Sequence, residues 1–361
     1  MLYLAIDQHS KQLTVNLRNE EGRVLLKRQV STQWEKVRAF FEEVRTRSGG
    51  EEGFVVILEV CGFNDWLLTM LKEYECHEIV LIQPKEKSKK KTDRRDANQL
   101  GEILWVNRQR LLAGERVQGV RRVRIVEECH KRNRRLTSRR LQTTRQMTRT
   151  INRVKQILRR HNIEQHQPTK GIQTKAALKW LKELTLSDED RKAMDDLLEQ
   201  WLLWDVQLEN LDLEIAKRCE QSPAAQLIGT ITGRAGFSSL TLACRIEPIE
   251  NFPTPRSLAN YFGLTPSCRN SGEATQRLGA ITKEGSPIVR YILGQLVLHV
   301  LKRDPTMRQW HRRIKLRRGS KIARVAVMRR LTVIIWHMLK RNEPYVVGGS
   351  CRGRETPAST S

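Results

Sequence analysis

Several things are missing from this sequence, and each absence narrows what the protein is. The seven cysteines (Cys61, Cys76, Cys129, Cys219, Cys244, Cys268 and Cys351) are odd in number and scattered. None falls in a CxxC or Cys/His ligand spacing, so neither a disulfide framework nor a zinc module is supported, and a reducing compartment suits them. Long apolar runs are absent too: Leu331–Leu339, the longest late one, is about half a membrane span and is flanked by basic residues. The opening Met1–Asp7 reaches an acid before a signal-peptide core could form. These absences predict a soluble, cytoplasmic protein, nucleoid-associated and without a membrane partner. Acid is scarce as well: 40 Asp and Glu stand against 66 Lys and Arg, a formal net charge of +26. A surface so basic binds polyanions by releasing their counterions, which points to nucleic acid, since solubility alone needs far less charge.

What is present reads as two or three domains, from a length of 361 residues and enough apolar residues for packed cores. The first hundred residues are α/β. Leu2–Ile6, Leu13–Leu17 and Val24–Val30 suggest three hairpin-like strands, Phe54–Leu58 a central strand and His77–Ile82 another. Helical spacing appears at Trp34, Val37, Phe40, Phe41 and Val44, and again at Trp66, Leu67, Met70 and Leu71. That order matches a ribonuclease H-like domain.

From Arg108 to Arg160 the chain holds 18 Lys/Arg against three Glu and no proline, which predicts one or two long helices with a broad cationic face. Its arginines, with Arg121, Arg122, Arg124, Arg134, Arg135, Arg139 and Arg140 as candidates, suit contact with a phosphate backbone. His161–Gly171 reads as a linker or sharp turn. In the helix that follows, Met194, Leu197, Trp201, Trp204, Leu208, Leu211 and Ile215 step by three and four, a heptad seam that suggests a coiled coil and a homodimer or homotetramer. An amphipathic helix packed on its own domain has the same pattern. After Ser222 a mainly helical region begins, and Lys302–Asn342 supplies a second cationic surface with Arg312, Arg313, Arg317 and Arg318. Aromatics are sparse on both surfaces, which favours backbone and shape recognition over base stacking.

Four acids carry the chemistry. Asp7 ends the first strand and Glu59 ends the central one, while Asp93 and Asp96 lie three apart, on one face of a helix. Carboxylates converging from two strand ends and one helix face repel unless a cation joins them, and together they can hold two Mg²⁺ ions, with Mn²⁺ as the alternative.

The ordered motifs resemble one known family. They are I-D-x-x-x-K (Ile6, Asp7, Lys11), E-x-x-G-F (Glu59, Gly62, Phe63) and K-T-D-x-x-D-A (Lys91, Thr92, Asp93, Asp96, Ala97). Phe252-Pro253, Ser257–Gly263, Leu264-x-Pro266, Ser271-Gly272, Leu278-Gly279 and Lys283-x-Gly285 follow. The set is similar to the DEDD transposases of the IS one-ten/IS eleven-eleven insertion-sequence family, which includes Piv-type DNA invertases. The resemblance implies a RuvC-like domain over residues 1–107 and a basic helical, coiled-coil region over 108–222. It also implies a C-terminal transposase domain over 223–345, with a tail over 346–361. It further implies DNA strand exchange through a transient phosphoserine formed by Ser271, guided by a structured RNA encoded by the element. Ser267 and Ser286 are the alternative serines, and Ser286, before Pro287, reads more like a helix N-cap. A junction-resolving endonuclease would use the same acids with water, and a non-catalytic nucleic-acid-binding protein would use none of them.

Overall fold

In the computed structural model the first apolar run forms β1 (Leu2–Gln8), the buried central strand of a five-stranded sheet. The structure describes residues 1–49, 53–83, 93–269 and 277–348, and the backbone alone at 93–96, 268, 269, 277 and 278. β1 pairs antiparallel with β2 (Gln12–Arg18), and β2 antiparallel with β3 (Val24–Ser31). After α1 (Trp34–Arg47) the chain returns as β4 (Phe54–Glu59), parallel to β1. After α2 (Asp65–Glu73) it returns again as β5 (Glu78–Ile82), parallel to β4. The order β3-β2-β1-β4-β5 is the ribonuclease H-like order that the sequence predicts. α3 (Asp93–Val106) and the short α4 (Arg108–Leu112) follow.

Strand alternation sorts the side chains of this unit into two cores. Leu4, Ile6, Val56 and Leu58 face α1 and α2, packing with Phe40, Phe41 and Leu67. Tyr3, Ala5, Val55 and Ile57 face the other way, against Leu100 and Leu104 of α3. One edge strand, β3, is largely exposed and carries Lys27 and Arg28, charges that discourage strand addition. Trp34 shares the helical spacing of the buried residues but is itself 56% exposed and meets Trp66 edge-on, because Val37, Phe40, Phe41 and Val44 already fill the buried face of α1.

Of the one or two long helices predicted across Arg108–Arg160, one forms, over Glu128–Arg160. Residues 113–127 are not helical; Val123 donates to the Leu81 carbonyl, Gln83 to that of Arg121, and Ile82 bridges Arg122, so the segment covers the edge of β5. Edge pairing, a tertiary effect, overrides the spacing of three among Val120, Val123 and Val126. The chain accordingly divides into two compact units at Met1–Val126 and Glu127–Ser361, beyond the boundary expected at residue 107 and with the middle and C-terminal regions in one unit.

The second unit opens with α5 (Glu128–Arg160), α6 (Lys175–Glu183) and α7 (Asp188–Glu220). α5 and α7 lie antiparallel: Arg140 grips Asp212 through two hydrogen bonds of 3.0 and 2.9 Å, and Arg160 meets Asp190 at 2.6 Å. The heptad seam of α7 is taken up within this chain. Met194, Leu197 and Trp201 pack with Met147, Val154 and Leu158 of α5, and Ile215 joins the core below. That core is built from α8 (Pro223–Gly229), α9 (Phe237–Ile246), α10 (Pro255–Tyr261), the hairpin β6 (Pro266–Arg269) and β7 (Arg277–Ile281), α11 (Pro287–Arg303), α12 (Pro305–Arg318) and α13 (Ser320–Arg341). The second basic region is thus three helices, parted at Asp304-Pro305 and at Gly319, whose φ of +83° few other residues tolerate. Among the described residues no helix is long and apolar enough to cross a membrane.

Candidate active site

β1 and β4 run side by side in register from Leu2 opposite Phe54 to Ile6 opposite Leu58. One step further, the ends of the two strands bring Asp7 and Glu59 to neighbouring positions, about 4.8 Å apart at the backbone. Both continue the series that faces α3. Three ties fix how α3 lies over that face. Asn16, fully buried on β2, donates through Nδ2 to Asn98 Oδ1 at 2.6 Å. Arg18 pairs with Glu102 at 2.9 Å, and Trp105 Nε1 donates to the Glu20 carbonyl at 3.0 Å. Residues ascending along α3 therefore meet residues ascending along β2. The helix start, with Asp93 as its first and Asp96 as its fourth residue, lies back toward Thr14, the residue paired with Asp7. The close approach needs Gly101, where a Cβ would meet Asn16 Oδ1 at 2.9 Å.

A buried polar network that sequence reasoning missed braces the two strand ends. Asn64 donates to Gln8 Oε1 at 2.8 Å and to the Glu59 carbonyl at 3.1 Å, and its own Oδ1 accepts from Cys61 N at 2.5 Å. Gln8 Nε2 donates to the Phe63 carbonyl at 3.1 Å, closing the turn onto β1. Burial, with the Asp7 charge adding to it, pushes the Cys61 thiol up, so it stays protonated and leans on Gln8 Oε1 at 3.6 Å. His9, also missed, sets Nε2 3.0 Å from Asp7 Oδ2. Its spacing of two from Asp7 is the one sequence hint, whereas Gln8 and Asn64 are linked only through the fold.

The donor set suits a hard cation. Asp7, 14% exposed, and Glu59 offer carboxylate oxygens, and the Thr14 hydroxyl beside Asp7 is buried without a protein partner. These carboxylate and hydroxyl oxygens suit a hard divalent cation better than a soft one.

In the second unit Ser271 falls in 270–276, outside the described residues. The frame of its hairpin is well defined. Lys283 N donates to the Gly263 carbonyl at 3.1 Å and Thr282 N to that of Thr265 at 3.0 Å. A Cβ at Gly263 would strike the backbone of 283–285, and one at Gly285 the backbone of Tyr261 and Phe262, which explains glycine at both motif positions. Ser267 is committed to the hairpin, its Oγ donating to the Ala280 carbonyl at 3.1 Å. Ser286 occupies the N-cap of α11 before Pro287, without a capping hydrogen bond from its side chain.

The candidate phosphate-binding arginines separate into two groups. Arg122 is spent inside the first unit on Glu78 and the Leu111 carbonyl. Arg134 donates to the Cys244 carbonyl at 2.7 Å, and Arg140, besides Asp212, lies over the Phe237 ring. Arg121, Arg124, Arg135, Arg139, Arg312, Arg313, Arg317 and Arg318 are exposed, with Arg135 near Glu128 at 3.6 Å.

Residues 4–163 match the profile of a transposase family of the DEDD IS110 type, and residues 225–312 match the transposase IS116/IS110/IS902 family. The transposase for insertion sequence element IS1111A of Coxiella burnetii (strain RSA 493 / Nine Mile phase I) is 24% identical over 302 residues, 81% of this chain and 79% of that protein. Putative transposase y4qE of Sinorhizobium fredii (strain NBRC 101917 / NGR234) is 27% identical over 222 residues, 60% of this chain and 51% of that protein. With both profiles matched in order and a strand order of the RuvC-like kind, the chain belongs to the IS110/IS1111 family of DEDD transposases, enzymes of DNA transposition.

Proposed function

We propose that this transposase cuts and rejoins DNA in a divalent-metal-dependent reaction at Asp7, Glu59, Asp93 and Asp96, with Ser271 as the attacking hydroxyl. The observation that carries the reading is the shared sheet end: two acids on adjacent parallel strands, with α3 starting toward the same edge. Mg²⁺, or Mn²⁺ in its place, would neutralise phosphate charge there and favour the ionised form of an attacking hydroxyl. Asp7 and Glu59 hold negative charge at fixed positions, and Gln8 and Asn64 keep those positions from drifting. The Ser271 oxygen forms a bond to phosphorus as the bond to one DNA oxygen breaks, and that oxygen leaves with a proton. A hydroxyl of the second DNA then attacks the phosphoserine, restoring the serine and completing exchange. A structured RNA encoded by the element is the proposed guide, and the exposed arginines of α5 and α12 offer two surfaces for RNA and DNA.

Joining DNA ends calls for a homodimer or homotetramer. Because the heptad seam of α7 is used internally, the exposed stripe Leu202, Leu203, Val206 and Leu213 is the better candidate for contact between copies. Ser271→Ala tests the chemistry on a denaturing gel of protein with element-end DNA. The proposal expects loss of a covalent protein–DNA adduct and of strand exchange. Full cleavage by the variant would instead indicate water as the nucleophile, as in a junction-resolving endonuclease.

A further inference from the structure

A group of side chains at the start of α5, away from the four acids, has the composition of a second metal centre. Glu127 occupies the N-cap of this helix, yet its carboxylate makes no capping hydrogen bond to the helix amides. It turns toward two side chains of the first turn. Cys129 Sγ lies 3.7 Å from Glu127 Oε2, and His130 Nε2 lies 3.9 Å from the same oxygen. The ligand atoms of the three residues all fall within 4.8 Å of one another. Around a tetrahedral zinc ion with bonds of about 2.0–2.3 Å, neighbouring ligand atoms stand roughly 3.3–3.8 Å apart. Two of the three separations are already close to that, and the third is no more than 4.8 Å.

The far side of the imidazole strengthens the case. His130 Nδ1 lies 3.7 Å from Glu247 Oε2, at the end of α9 in the same unit. A carboxylate behind a ligating histidine fixes the proton on Nδ1 and leaves the Nε2 lone pair facing the ion. The surrounding positive charge is partly answered, since Glu128 lies 4.0 Å from Lys131, 3.7 Å from Arg132 and 3.6 Å from Arg135. We propose that Glu127, Cys129 and His130, with Glu247 behind the imidazole, bind a thiophilic divalent cation of the zinc class, with water in the fourth position. The mixed sulfur, nitrogen and oxygen set selects against Mg²⁺, so the two sites take different metals. The E-x-C-H spacing fits no zinc-finger pattern, and Glu247 comes from a distant part of the chain.

Co²⁺ is the probe, added to the reduced full-length protein. One equivalent produces thiolate-to-cobalt charge-transfer absorption, and Zn²⁺ displaces it. Cys129→Ser removes the band, His130→Gln weakens the apparent affinity strongly, and Glu247→Gln weakens it about 10- to 100-fold. Zn²⁺ also slows maleimide labelling of Cys129, the exposed one among the described cysteines. Asp7→Asn leaves the band in place, so the result stands apart from the fate of the acid site. The inference is overturned if no charge-transfer band appears, or if the band survives Cys129→Ser in protein that circular dichroism shows to be folded.

Discussion

Asp7 and Glu59 stand at the ends of buried strands, framed by hydrogen bonds from Asn64 and Gln8 on neighbouring backbone. Arg312, Arg313, Arg317 and Arg318 stand exposed on α12, and none of the four makes an ion pair among the described residues. Under the proposed function the contrast follows from what each charge would do. A carboxylate that positions a reacting phosphate must hold its place to a fraction of an ångström, and only the packed interior fixes it so well. An arginine that attracts a phosphate backbone works by charge and adapts to its partner, so freedom serves it. α5 shows that arginine content alone does not reveal which use applies, because Arg134 and Arg140 there hold the fold together.

The largest test of the contrast is Asp7→Asn or Glu59→Gln. Either change is expected to lower strand exchange by about 10³-fold while leaving nucleic-acid binding and circular dichroism unchanged. Unchanged exchange would mean that these acids are structural. Next comes the quadruple change of Arg312, Arg313, Arg317 and Arg318 to Gln. It should flatten the dependence of log affinity on log salt by up to about 3.6, at about 0.9 per phosphate contact. Arg140→Gln should instead leave that slope alone and lower the urea midpoint; equal slopes for all variants would erase the distinction. Asn64→Ala, which strands several buried polar atoms, should cost about 2–3 kcal/mol in urea unfolding and also slow exchange. Normal exchange in this variant would show that the network braces the fold without positioning the acids.

The smallest expected effect is at Asp304, which caps α12 through Met307 N at 2.9 Å and accepts from Tyr345 Oη at 2.7 Å. Burial works to raise its pKa, but these bonds, with those from the Gly348 and Thr306 amides, win and hold it below the ordinary carboxylate range. Its stabilisation is therefore complete above about pH 4 and is lost as pH falls through the lower folded value. Asp304→Asn should cost about 1 kcal/mol at neutral pH and flatten the acid limb of a thermal unfolding series. An unchanged acid limb would assign the pH dependence to other groups.

Much of the first unit was legible because its signals are local. Continuous apolar runs mark β1 and β4, alternation marks β2, and each acid sits where a run stops. The hidden parts depend on partners far along the chain. Nothing near Gln8 announces Asn64, and nothing near Val123 announces the β5 edge that holds 121–123 extended. The seam of α7 was legible as a seam, but its partner was not, since a heptad reads alike whether a second copy or α5 covers it. Trp34 shows the same limit: helical spacing identifies a face, while how much apolar surface that face already has decides which ring is left outside.

The pairing of α5 with α7 has one more consequence. Each helix has 33 residues, so together they make an arm about 50 Å long. The start of α5 and the end of α7 are rooted in the C-terminal core, and the far tip carries the turn from His161 to Gly171 together with α6. Such an arm acts as a spacer of set length: a cargo domain spliced into the tip between Gln167 and Gly171 would ride at its end without entering the core. Lengthening both helices by matched heptads would move that tip outward by about 10 Å per step.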